Sequence, residues 1–335
     1  MQQERQRVCM PNSLYCFMYY LFLSTEEQID NTIYFFTKDI PEEIQQHMPH
    51  HHFVDTLKWE RNRYFTSLYW MVFRNIKYPE LKHADIYGLD FNWWLLRGLK
   101  MSYIEDGPCV LDIWEKGTTY SSYKAFMNRG FLKKTLSSLF FGEYYCRPLG
   151  TSPLTTTIYT SAPYNKPYHQ GKQNVVMRLD DAWNNASSCK KKRILEIFNI
   201  DDDCMRQLNS RSVIILTQPY AADRHMTEEE QVNIYRKMVE TYGEGNVIIK
   251  PHPRDKTDYK HLFPNVTVFD KIVPMQFLVL LGANFERVVT INSSSALSFG
   301  KDATIDWWAE KMDRDVVKDE GFLTLEDAKN GIAKL

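Results

Sequence analysis

At 335 residues the chain exceeds what one hydrophobic core usually holds, so two domains of roughly 150 residues each are expected. With 44% hydrophobic and 25% charged residues and a formal net charge of -1, the composition excludes a disordered chain and disfavours a nucleic-acid-coating one. The six cysteines at 9, 16, 109, 146, 189 and 204 include no C-x-x-C pair, which argues against a zinc knuckle or a disulfide scaffold and fits a reducing cytoplasm.

In chain order, Arg7–Met10 and residues 32–36 (TIYFF) read as strands on either side of the apolar run Leu14–Leu23 (LYCFMYYLFL). That run is too short to span a bilayer and lacks the small-residue cleavage site of a signal peptide, so it is predicted as a buried first helix. His47, His50, His51 and His52 sit in a Pro-containing stretch without the spacing a tetrahedral site needs, and are predicted as solvated loop residues with no metal. Residues 85–89 (DIYGL), a helix around 93–97 and Met101–Ile104 (MSYI) repeat the strand, helix, strand rhythm of an α/β fold. MSYI ends directly in Glu105-Asp106-Gly107.

Residues 147–174 are rich in Pro, Ser, Thr, Tyr and Gly without period and are predicted as an interdomain connection, dividing the chain into domains 1–155 and 156–335. Lys190-Lys191-Lys192-Arg193 reads as a solvated helix start that could also favour an acidic membrane surface. The second half then alternates strands at Val213–Leu216, 247–249, 266–269 and 288–291 with helices at Glu228–Tyr242 and near 275–281. Thr227 and Glu230 form a capping box for the first of these helices.

In open α/β sheets ligands bind beyond the carboxyl ends of the strands, so the residues that follow each strand are the candidates for chemistry. Strand 247–249 runs into Lys250-Pro251-His252-Pro253-Arg254-Asp255, where three basic side chains and two backbone-limiting prolines suit a diphosphate or phosphodiester leaving group. Taken alone, His-Pro is equally a plain surface turn. Strand 288–291 runs into Asn292 and then Ser293, Ser294 and Ser295, hydroxyls and free N–H groups fit to face an anion, or simply to cap a helix. Glu105 or Asp106 could act as a base for an acceptor hydroxyl, and Asp223, in the loop after Thr217-Gln218-Pro219, is a competing carboxylate.

The ordered set E-D-G, K-P-H-P-R and the serine triplet resembles glycosyltransferase family 52, which contains the bacterial lipooligosaccharide sialyltransferases, over about residues 8–303. The resemblance implies a GT-B architecture, two Rossmann-like domains facing across a cleft, with no cofactor or metal required. It implies a CMP-sugar donor, most simply CMP-sialic acid, held by the C-terminal domain, and a glycan acceptor on the N-terminal one. Carried over by position, His252 would contact the donor phosphate and assist its departure, with Lys250, Pro253, Arg254 and Ser293 to Ser295 around it. Pro274 and Gln276 would lie where the family wraps the nucleotide, Gln276 replacing the usual acidic residue there. Residues 42–56 and 59–69 would be acceptor loops. By analogy with family members the chain could pair as a homodimer; the expected place is the cytoplasm, with peripheral association at the inner face of the cell membrane an open alternative. A hexosyltransferase using UDP-sugars and a non-catalytic glycan-binding protein are the two rival readings.

Overall fold

The computed structural model describes residues 5–55, 62–107, 130–163, 171–300, 303–313 and 324–329. The chain divides into two compact units, Met1–Ile197 and Phe198–Leu335. Each is a mixed α/β unit around one all-parallel sheet, of Rossmann-like character.

The first sheet has seven strands in the order β3-β2-β1-β4-β5-β6-β7, comprising β1 (Arg7–Met10), β2 (Ile33–Phe36), β3 (His51–Phe53), β4 (Asp85–Gly88), β5 (Met101–Ile104), β6 (Thr155–Thr160) and β7 (Gln173–Val176). The central strands are apolar on both faces because helices cover both sides of a parallel sheet. The predicted first helix forms as expected: the Ser13 hydroxyl accepts from Cys16 N–H, and every residue from Leu14 to Phe22 is buried. The order in which strands are added reverses between β1 and β4, where the side chains of Asn12 and Asn92 hydrogen-bond at 3.2 Å. Gly88 ends β4 at φ +128°, and a Cβ there would stand 2.3 Å from the Met10 carbonyl oxygen.

Three expectations need correction. The unit boundary falls at Ile197/Phe198 rather than at 155/156, because β6 and β7 continue the first sheet beyond β5. Residues 147–174 are therefore not an interdomain connection; Thr155–Thr160 pairs with β5 as a Thr-rich strand, a residue type the pleated surface favours. His51 and His52 lie on edge strand β3 instead of a loop, with His52 Nε2 2.9 Å from Glu80 and His51 Nδ1 2.9 Å from the Met48 carbonyl. Among the described residues no group of three or more His, Cys, Asp or Glu side chains converges as a metal site.

The second sheet has five strands in the order β10-β9-β8-β11-β12, with β8 (Val213–Leu216), β9 (Val247–Lys250), β10 (Thr267–Val268), β11 (Arg287–Thr290) and β12 (Thr304–Trp307). VIIL and VIIK are fully buried, as continuous apolar runs in a central parallel strand should be. The predicted capping box is present: Thr227 Oγ1 accepts from Glu230 N–H, and Glu230 accepts in return from Thr227 N–H. Chain order runs outward from β8 to β10 and then resumes at β11 on the other side, so the switch point lies between β8 and β11.

Candidate active site

Register sets the site. Leu216 pairs with Lys250 on one side and with Thr290 on the other, so β8, β9 and β11 end level with one another. Neighbouring strands stand about 4.8 Å apart, which places the ends of β9 and β11 about 10 Å apart with β8 between them. His252 is two residues past one end and Ser293 three residues past the other. Both loops thus emerge beside the switch point, where open α/β sheets bind their ligands.

A chain of hydrogen bonds ties the two loops to the end of β8. Thr217 Oγ1 accepts from His252 N–H at 3.0 Å and donates to Asp255 at 2.7 Å. Thr290 Oγ1 donates to the Leu216 carbonyl at 3.1 Å and accepts from Ser293 N–H at 3.0 Å. The Tyr220 hydroxyl donates to Asn292 at 2.5 Å, anchoring the serine turn to the loop after β8. Ser294 to Phe299 form a short 3-10 helix, and among the described residues the three serine hydroxyls make no hydrogen bond.

His252 is half-buried in a turn closed by Asp255 N–H donating to the His252 carbonyl at 2.8 Å. Arg254 N–H donates to His252 Nδ1 at 3.1 Å, so that nitrogen is a lone pair and the ring proton sits on Nε2. Burial first, then the nearby Arg254 and Lys250 charges, push the imidazole down to about 4, keeping it neutral. Lys250 itself is buried, and desolvation pulls its ammonium down to about 8. Its Nζ donates to the Lys271 carbonyl at 3.2 Å and lies 5.8 Å from the Phe269 ring centroid, linking the end of β9 to the segment that carries Pro274 and Gln276. Pro274 is buried at the start of the helix Met275–Leu280, and Gln276 lies half-buried in its first turn. Pro253 and Arg254 are exposed; Arg254 pairs with Asp223 at 2.6 Å through Oδ1, while Asp223 Oδ2 has no hydrogen-bond partner among the described residues.

The second unit therefore gathers Lys250, His252, Arg254, Asp223 and the serine row on one rim, and the loop carrying Gln276 joins it through Lys250. Residues that sequence reasoning passed over hold the rim in place. Asp255 accepts from Thr217, from Tyr259 at 2.8 Å and from Gln231 at 3.1 Å, and the fully buried Gln231 in turn accepts from Ala221 N–H at 2.8 Å. Their only sequence signal is a carboxylate adjoining the His-Pro-Arg turn.

Glu105 and Asp106 form a cluster of their own in the first unit. Glu105 is buried, and its Oε1 accepts from the Tyr15 hydroxyl at 2.8 Å and from Ser161 N–H at 2.9 Å, a structural role. Asp106 Oδ1 is buried with no partner among the described residues; burial pushes this carboxyl up to about 6, Asp39 adding to the rise and the Ser13 hydroxyl opposing it. Residues 42–56 and 59–69 are not plain loops: they contain the helix Glu42–Gln45, strand β3 and the start of the helix Arg63–Lys77, while 56–61 lie outside the described residues.

The family model of glycosyltransferase family 52 matches residues 42–309, and the chain belongs to that family. It is a glycosyltransferase, acting on a sugar donor and a glycan acceptor. An uncharacterized protein of Haemophilus influenzae is 30% identical over 256 residues, covering 76% of this chain and 77% of that one. Among solved structures, the UDP-GlcNAc 2-epimerase of Methanocaldococcus jannaschii is similar at 12% identity and TM-score 0.43, over 97% of this chain and 91% of that chain. Among the described residues no helix is long and apolar enough to cross a membrane.

Proposed function

We propose that the chain is an inverting sialyltransferase that moves sialic acid from CMP-sialic acid to a hydroxyl of a glycan such as lipooligosaccharide, without a metal. The observation that carries this reading is His252, its Nδ1 accepting from Arg254 N–H, on a loop that leaves the sheet level with the loop of a serine row whose hydroxyls make no hydrogen bond among the described residues, both beside the switch point. The serines and the N–H groups of the 3-10 helix would take the donor phosphate oxygens, and His252 Nε2–H would donate to the oxygen that leaves the anomeric carbon. As the anomeric bond to that oxygen breaks, the acceptor hydroxyl attacks from the opposite face and loses its proton to a carboxylate. Gln276 would hydrogen-bond the ribose, with Lys250 buried alongside to offset phosphate charge.

Asp223 is our proposed base, because it shares the rim with His252, lies within its electrostatic reach and keeps Oδ2 unbonded. Asp106 is the second reading, favoured by its unpartnered oxygen and its raised carboxyl. Single-turnover rates of Asp223→Asn and Asp106→Asn separate the two: the base variant loses about 10²- to 10⁴-fold in the transfer step. Calorimetry with CMP and UDP tests the donor. Tight binding of UDP with no response to CMP returns the assignment to a UDP-hexosyltransferase, and no donor hydrolysis with any nucleotide-sugar favours a binding protein.

A further inference from the structure

Eleven of the thirteen large hydrophobic side chains exposed among the described residues lie on two helices of the first unit, Arg63–Lys77 and Phe131–Phe141. On the first, Phe65, Leu68, Val72 and Ile76 follow the i, i+3, i+4 spacing of one helical face, with Ile76 74% exposed. On the second, Leu132, Leu136 and Leu139 do the same, with Leu132 75% exposed. The two helices are locked side by side, since the Ser67 hydroxyl and the Arg97 guanidinium both donate to the Phe140 carbonyl. A shallow groove of about 250 Å³ between them is lined by both Arg63 and Lys133. An apolar patch of this extent on a folded unit marks a contact with something else.

Charge identifies the occupant. The first helix carries Arg63 and Lys77 on its exposed surface and the second Lys133 and Lys134, and neither helix carries an Asp or a Glu, in a chain whose net charge is only -1; Arg74 turns inward, donating to the Leu95 and Arg97 carbonyls. Apolar and aromatic side chains flanked by cations without carboxylates are the pattern of a helix lying in the headgroup region of an anionic membrane. Two-fold pairing of a second copy through this face would set the same cations against one another. The basic run 190–193, the other candidate for such a role, is partly spent inside the unit: Lys190 donates to the Phe22 carbonyl at 2.7 Å, and Arg193 pairs with Asp30 at 3.0 Å. We propose that the paired face of Arg63–Lys77 and Phe131–Phe141 docks the protein peripherally onto an anionic lipid bilayer.

Flotation of the full chain with vesicles tests this. Partition onto phosphatidylcholine vesicles containing about a third phosphatidylglycerol is expected to be at least about tenfold stronger than onto phosphatidylcholine alone, and to weaken as salt is raised. Leu68→Glu and Leu132→Glu, at exposed positions with melting temperatures unchanged, are each expected to lower that partition about tenfold. Absence of flotation, equal flotation on neutral vesicles, or full flotation by both variants overturns the proposal. So does a concentration-dependent dimer in sedimentation equilibrium that Leu68→Glu abolishes while the parent chain ignores both vesicles, which assigns the face to a second copy.

Discussion

His252 is held neutral by burial and by two nearby cations, and its Nδ1 is already committed to the Arg254 N–H. An unfolded histidine titrates near 6.5, whereas this one titrates at about 4, so between those values the unfolded chain binds a proton that the folded chain refuses. Its stability contribution is complete above the unfolded value and is lost as pH falls toward the folded one. His252→Gln removes that difference, and its melting temperature is expected to drop less than the parent's between about pH 7.5 and pH 5. An identical acid slope in both proteins would mean the imidazole is not neutral. The same side chain is proposed to meet the leaving phosphate, so His252→Ala should cost about 10²- to 10³-fold in kcat with the fold intact. Near-parental turnover by that variant with CMP-sialic acid would sink the assignment.

Asp106 runs the opposite way. Its folded carboxyl titrates at about 6, above the ordinary 3.8, so the folded chain holds this proton more firmly and its ionised form at neutral pH is a cost to stability. Asp106→Asn is expected to raise the melting temperature at about pH 7.5 and to give no gain near pH 4. A loss at neutral pH instead would show that an interaction with the ionised form outweighs its burial. A carboxylate kept at such a cost with one oxygen unpartnered is the kind of group found in functional sites.

At the scale of elements, the rim depends on strand ends as well as on the groups proposed for catalysis. Thr217 fixes the His252 turn through one accepted and one donated hydrogen bond. Thr217→Val keeps the shape and removes both, and is expected to lower kcat about tenfold while Thr217→Ser restores it, since a serine hydroxyl can make the same pair of bonds. In the first sheet, Gly88→Ala drives a methyl group into the Met10 backbone at a φ of +128°, and is expected to destabilise by about 2–4 kcal/mol in a denaturant melt. These strand ends were legible in the sequence because VIIL, VIIK and TIYFF are apolar runs stopped by turn residues. The serine and His-Pro turns were legible because they follow such runs. The strands that escaped are HHF and TIDW at sheet edges, TTTIYT among Pro and Ser, and QNVV with half its residues polar. HHF, QNVV and TIDW are edge strands, which expose one side and need no apolar run, whereas TTTIYT is internal, between β5 and β7, and was hidden by the Pro, Ser and Thr around it. Asp255 and Gln231 were invisible as anchors for a different reason, because the bond between them spans 24 residues and the bond from Thr217 to Asp255 spans 38.

At the scale of the whole molecule, the two switch points explain why one chain carries two similar sheets. Each reverses its strand order beside its first strand, β1/β4 in one unit and β8/β11 in the other. The division between them follows from which sheet completes itself. A boundary at 155/156 would strip β6 and β7 from β5, leaving β5 an open edge and two strands without a sheet. The second unit, by contrast, owns all five of its strands and the helix Glu228–Tyr242 from Phe198 onward. A chain begun at Phe198 is therefore expected to melt cooperatively as a monodisperse species, and one begun at Thr156, which adds β6 and β7 with no partner, to aggregate. Light scattering with a thermal melt distinguishes the two. If the longer piece is the well-behaved one, β6 and β7 belong with the second unit and the seven-stranded sheet is not a folding unit. If the shorter piece also retains the calorimetric response to CMP, the phosphate-facing rim is a property of the second sheet alone, as the hydrogen-bond chain from His252 to Ser293 requires.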